Sequence, residues 1–174
     1  MTPLRAWLLW LAGFLFFPLA GVLSGRATAL LAGVITGLVI GVGQSLLSAR
    51  RLDWRRWVPA STLGMGAGLA LGGAAVGHRT GLGDLALMGA ITGLLLGLAQ
   101  TLALPAQTRR RWAWAVATPA LWALGWTVTT LVGVQVDQQF SVFGSTGAIT
   151  FSALSGLLLQ QILPVHAVVS EVPA

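Results

Sequence analysis

The chain has 174 residues, 56% of them hydrophobic and 8% charged, against about 25% charged in an ordinary soluble domain. So little charge excludes a soluble globular surface, and so much apolar residue excludes a disordered chain. With no cysteine there is no disulfide framework, no thiolate metal site and no thiol chemistry, and an all-α integral membrane protein remains.

A helix needs about 20 mostly apolar residues to cross the hydrocarbon core. Six stretches in chain order meet this need, and none alternates with the period of two that a strand would require. The first runs from about Leu4 to Leu23. Its Arg5, apolar run and small residues Gly21, Ser24 and Gly25 resemble a signal peptide. The run is longer than an ordinary signal core, so a true first helix is expected. The others run from about Ala27 to Ser48, Trp57 to Val76, Leu82 to Leu104, Trp112 to Val132 and Phe143 to Val165. One transmembrane domain over 1–174 is predicted, with hairpins at about 1–50, 51–107 and 108–165 and a short tail at 166–174.

All ten basic residues are arginine, and with four acids the net charge is +6. Nothing resembles a nucleic-acid module, so no nucleic-acid partner is predicted. The arginines sit in short connections, where they set topology. Arg5, Arg50, Arg51, Arg55, Arg56, Arg109, Arg110 and Arg111 fall on one side of a six-span arrangement. Arg26 and Arg79 fall on the other, beside Asp84 and Asp137. The arginine-rich side is expected to be cytoplasmic, and both termini with it. Five or seven spans would break this segregation.

An internal repeat is visible. Gly33, Thr36, Gly37, Gly41 and Gln44 recur 56 residues later as Gly89, Thr92, Gly93, Gly97 and Gln100. The shared pattern is G-x-I-T-G-x-x-x-G-x-x-Q. A looser copy holds Gly147, Thr150, Gly156 and Gln160. The odd stretches open with paired tryptophans: Trp7 with Trp10, Trp54 with Trp57, and Trp112 with Trp114. Leu63 with Gly64, and Leu124 with Gly125, follow at similar depth. The predicted fold is six transmembrane helices built as three tandem helical hairpins with a pseudo-three-fold repeat.

Glycines at i, i+4 and i+8 share one helix face and admit a neighbouring backbone. Gly33, Gly37 and Gly41 form one such groove, and Gly89, Gly93 and Gly97 another; Gly64, Gly68 and Gly72 continue the theme. Intrachain packing is the expected use; a groove turned outward would suit a partner helix or a lipid or pigment tail. Gln44, Gln100 and Gln160 lie near the arginine-rich ends of their helices. Around a pseudo-axis they would form a polar cluster, with at least two of the three turned into the bundle. The six paired tryptophans are expected to form an interfacial belt. Trp122 and Trp126, at i and i+4, are expected to fill space opposite the glycine grooves. His78 and His166 fall on opposite sides of the membrane, so they cannot share a metal.

The combination of Arg56 and Trp57 with Ala60 to Gly64, together with the Gly33 to Gln44 pattern, resembles small multi-pass bacterial membrane proteins with tandem Trp/Gly/Gln-rich helical hairpin repeats. The resemblance covers most of the chain and implies a bacterial inner membrane. Its motifs are packing motifs without an activity attached.

No paired carboxylates, no serine beside a base and no intramembrane ionisable group appear. The expected function is that of a non-enzymatic accessory or assembly subunit, with membrane lipids and other membrane subunits as partners and no cofactor. The alternative is a small channel or carrier for a neutral or lipidic substrate.

Overall fold

The computed structural model describes residues 1–25, 27–133 and 142–163. Among these the chain is helical, without strands: α1 (Pro3–Ala12), α2 (Phe16–Ser24), α3 (Ala29–Leu47), α4 (Trp54–Val76), α5 (Leu82–Ala103), α6 (Trp112–Leu131) and α7 (Ser145–Ile162). A single 3-10 turn at Gly13–Leu15 joins α1 to α2, so the first two segments form one rod. Pro18 accounts for the break, since it has no N–H for the Phe14 carbonyl.

Local chemistry sets several ends. Pro3 follows the Thr2 cap, whose hydroxyl oxygen accepts from the Arg5 N–H at 3.3 Å. Asp53 caps α4 by accepting from the Arg55 N–H at 3.0 Å. The far end of α4 stops at Gly77, which adopts a left-handed φ of 60° that suits glycine. The His78 N–H then returns to the Gly73 carbonyl at 3.2 Å.

The rods Pro3–Ser24, Ala29–Leu47 and Leu82–Ala103 are long and apolar enough to cross a membrane. Helices α4, α6 and α7 have 23, 20 and 18 residues. They carry more of the Gly, Trp, Thr, Ser and Gln that face the interior, which dilutes their apolar character. Large hydrophobics such as Leu19, Leu38, Leu63, Leu94, Val116 and Leu157 are exposed around the outside. A water-soluble fold would bury them; a lipid-facing one need not.

Each rod packs on the next in sequence, and α7 returns against α1 and α2, so the six close on themselves. The interior has two apolar layers. Trp10, Trp57, Trp114, Leu104 and Leu159 fill the arginine-rich end. Phe17, Met65, Met88, Trp122, Trp126, Phe143 and Phe151 fill the other.

Candidate functional site: a buried Gln–Trp network

The glycine grooves decide which helices approach. A Cβ on Gly93 would lie 2.7 Å from the Thr118 carbonyl oxygen and 2.8 Å from Pro119 Cα. One on Gly37 would meet the Ser61 carbonyl oxygen and lie 2.8 Å from Thr62 Cα. One on Gly97 would lie 2.8 Å from Thr118 Cβ, and one on Gly41 2.9 Å from Ser61 Cβ. Gly33 and Gly89 likewise meet Met65 and Trp122. Thus α3 sits on α4 as α5 sits on α6. Gly64, Gly68 and Gly72 instead take α5, at Leu96, Thr92 and Met88. These contacts pair Ser61 with Thr118 and Met65 with Trp122, a shift of 57 residues. In that register Gly125 matches Gly68 rather than Gly64, a correction to the depth read from the Leu-Gly pairs.

Close backbones bring the amides of α3 and α5 together. The Gln100 Nε2 donates to Ser61 Oγ at 2.8 Å and to Gln44 Oε1 at 3.3 Å. Trp57 Nε1 donates to Gln44 Oε1 at 3.0 Å, and Trp114 Nε1 to Gln100 Oε1 at 2.9 Å. Gln44, Gln100 and Ser61 are buried. The network sits where a lost partner is expensive, because little water is there to replace it.

Gln160 does not join. Its Nε2 donates to the exposed Pro3 carbonyl oxygen at 3.1 Å, and the side chain is half-buried against α1. The cause is spacing. Thr36 to Gln44 and Thr92 to Gln100 are each eight residues, but Thr150 to Gln160 is ten. Two extra residues turn a side chain by about 200° around a helix. The third inward tryptophan uses a serine instead: Trp10 Nε1 donates to Ser155 Oγ at 3.0 Å.

The tryptophans do not form one belt. Trp54 and Trp112 are exposed, as an interfacial ring would be, and Trp7 is half-buried with its Nε1 donating to the Ala153 carbonyl oxygen at 2.9 Å. Trp10, Trp57 and Trp114 are instead buried to within 2% of complete. The Trp114 ring centre lies 5.8 Å from that of Trp57 and 6.2 Å from that of Trp10. Trp112 and Trp114, two residues apart, point about 200° apart around α6, so one faces out and the other in. Trp7 with Trp10 and Trp54 with Trp57 lie about 60° apart at the edge of the buried face, and in each pair the second ring is the one turned inward. Trp122 and Trp126 are also buried, and Gly93 and Gly89 respectively receive them.

Sequence reasoning missed Ser61 and Ser155, and read Arg51 and Arg111 only as topology signals. The near-constant separation from Gln44 to Trp57 and from Gln100 to Trp114, 13 and 14 residues, is the signal that marks the inner tryptophans. Arg111 donates to the Thr101 carbonyl oxygen at 2.6 Å and to that of Leu102 at 3.3 Å, at the C-terminal turn of α5. Arg51 donates to the carbonyl oxygens of Ser48 at 2.9 Å and Leu163 at 3.3 Å, joining the ends of α3 and α7. Burial pushes Arg51 down to about 10, still a cation at neutral pH. Both arginines complement the negative ends of helix dipoles. At the other end Arg79 pairs with Asp84 at 2.9 Å, and the Asp84 hydrogen bond and charge raise its pKa. Arg26, Asp137 and His166 lie outside the described residues.

No protein-family model matches this chain, and neither a curated protein nor a solved structure matches it.

Proposed function

We propose that the chain crosses the bacterial inner membrane six times as three tandem hairpins, with both termini cytoplasmic, and serves as a non-enzymatic accessory or assembly subunit of a membrane complex. One observation carries the reading. The interior polar groups Gln44, Gln100, Ser61, Trp57 and Trp114 are turned on one another, while exposed apolar side chains cover the outside. The working surface is then the outer one, in the plane of the membrane. The three-hairpin reading draws support from the recurring contacts of α3 on α4 and α5 on α6. Three inward tryptophans, one from each odd rod, each donating to the adjacent even rod, add to it.

The alternative, a channel or carrier for a neutral or lipidic substrate, needs the amides to face a path. They face Trp57, Trp114 and Ser61 instead. Purification from its native membrane in mild detergent separates the two. A stable complex with other membrane subunits is expected. A lone oligomer that conducts a neutral solute in vesicles would overturn the accessory role.

A further inference from the structure

Between the last turns of α3 and the first of α4 lies a groove of about 660 Å³, within the range of small-molecule sites. Val42, Leu46 and Val58 form apolar wall, Trp54 and Arg50 stand at the rim, and Ser45 lines it as well. The Ser45 hydroxyl has no hydrogen-bond partner among the described residues, as is true of the hydroxyls of Thr36, Thr92, Thr101, Thr108, Thr129 and Thr146, and its oxygen is closed off from the groove. The nearby Ser48 hydroxyl donates to the Ser45 carbonyl oxygen at 2.8 Å and accepts from the Leu52 N–H at 3.3 Å.

The turn above the groove is unusual. Ala49 and Arg50 have successive positive φ values of 58° and 62°, a region that residues other than glycine seldom adopt. Arg51 turns inward onto the carbonyls of Ser48 and Leu163, while Arg50 stays exposed at the groove. The Arg55 guanidinium lies 5.7 Å from the centre of the Trp54 ring but lines a different groove. The carboxylate beside them, Asp53, is engaged by the Arg55 backbone N–H.

A cation at the rim, an apolar wall and a rim tryptophan together match one ligand chemistry. We propose that this groove binds an acidic glycerophospholipid. Its phosphate pairs with the Arg50 guanidinium, Trp54 stands at the headgroup level, and one acyl chain runs along Val42, Leu46 and Val58. Arginine suits phosphate because its planar fork donates in pairs. The inference rests on the membrane reading above, not on the presence of partner subunits. Two other grooves share this end of the bundle, one beneath Arg55 and Arg56 and one beneath Arg109 and Arg110. Neither is lined by a tryptophan, so they serve as internal controls.

The test is native mass spectrometry of the purified protein in neutral detergent, with phosphatidylglycerol, phosphatidylcholine or inorganic phosphate added. Phosphatidylglycerol should bind in preference to phosphatidylcholine. Arg50→Gln should weaken that binding about five-fold, the effect of removing one basic residue near a lipid surface. Val42→Trp, at an exposed position on the wall, should block the groove without touching a charge. Arg109→Gln should leave binding unchanged, and melting without lipid should match wild type for all three variants. Equal binding of the two lipids, or equal weakening by Arg109→Gln and Arg50→Gln, would mean diffuse surface charge and overturn the site. Full competition by inorganic phosphate would make it an anion site instead. Because the isolated chain is used, failure here is distinct from failure to find partner subunits.

Discussion

Replacing Gly93 with leucine is expected to prevent α5 from seating on α6. Even a methyl group there would fall 2.7 Å from the Thr118 carbonyl oxygen and 2.8 Å from Pro119 Cα. These are backbone atoms, and neither can move aside as a flexible side chain could. Ordinary overpacking costs about 1–3 kcal/mol, and a leucine against two backbones should exceed that. In detergent Gly93→Leu should melt far below wild type or elute as aggregate. Gly37→Leu should behave alike, because the Ser61 carbonyl and Thr62 Cα stand in the same relation to it. Gly83 supplies the contrast. A Cβ there meets nothing within 4 Å, so Gly83→Ala should be neutral or stabilise by up to about 1 kcal/mol through helix propensity. If Gly93→Leu and Gly37→Leu both melt like wild type, these faces point at lipid.

The second large effect is expected at Gln100. Gln100→Leu removes the acceptor for Trp114 Nε1 and the donor to Ser61 Oγ and Gln44 Oε1. A buried group left without a partner costs about 1–3 kcal/mol. Hydrogen bonds between membrane helices average only about 0.6 kcal/mol by double-mutant cycles, since the unfolded chain also finds partners. The orphaned indole N–H and serine hydroxyl have no water to turn to, so a loss of about 2–3 kcal/mol is expected. Gln160→Leu should cost less, about 0.5–1 kcal/mol, because it removes a single hydrogen bond from a half-buried side chain. Equal melting of the two variants would remove the distinction the geometry draws. A Gln44/Gln100 double-mutant cycle should show coupling, because one amide donates to the other.

The helices were legible because apolar runs of about 20 residues leave few alternatives. Their ends were less so. The third begins at Trp54 rather than Trp57 because Asp53 caps it, and the sixth at Ser145 rather than Phe143, behind Gly144. The Gln44–Gln100 pair was legible from matched depth. The fate of Gln160 was written in the same spacing, two residues longer, but the repeat pattern drew attention away from its angle around the helix. The inward tryptophans were hidden by composition. A tryptophan near a basic loop fits an interface by residue type, and only its distance from the preceding glutamine marks Trp57 and Trp114 as core. Ser61 carries no pattern of its own. Its place depends on α3 and α5 both lying against α4, which no local signal in α4 announces.

If the polar layer is a closed core inside a six-span bundle, labelling of single cysteines will show it. The natural chain has none, so each introduced thiol reports alone. In sealed membranes a water-soluble thiol reagent should reach Gln107→Cys only from the cytoplasmic side and Thr80→Cys only from the opposite side. Ser61→Cys, beside Gln100, should react from neither side until the protein is unfolded. Labelling of Ser61→Cys in the folded protein would contradict the closed core, and labelling of Gln107→Cys and Thr80→Cys from the same side would contradict the six-span arrangement.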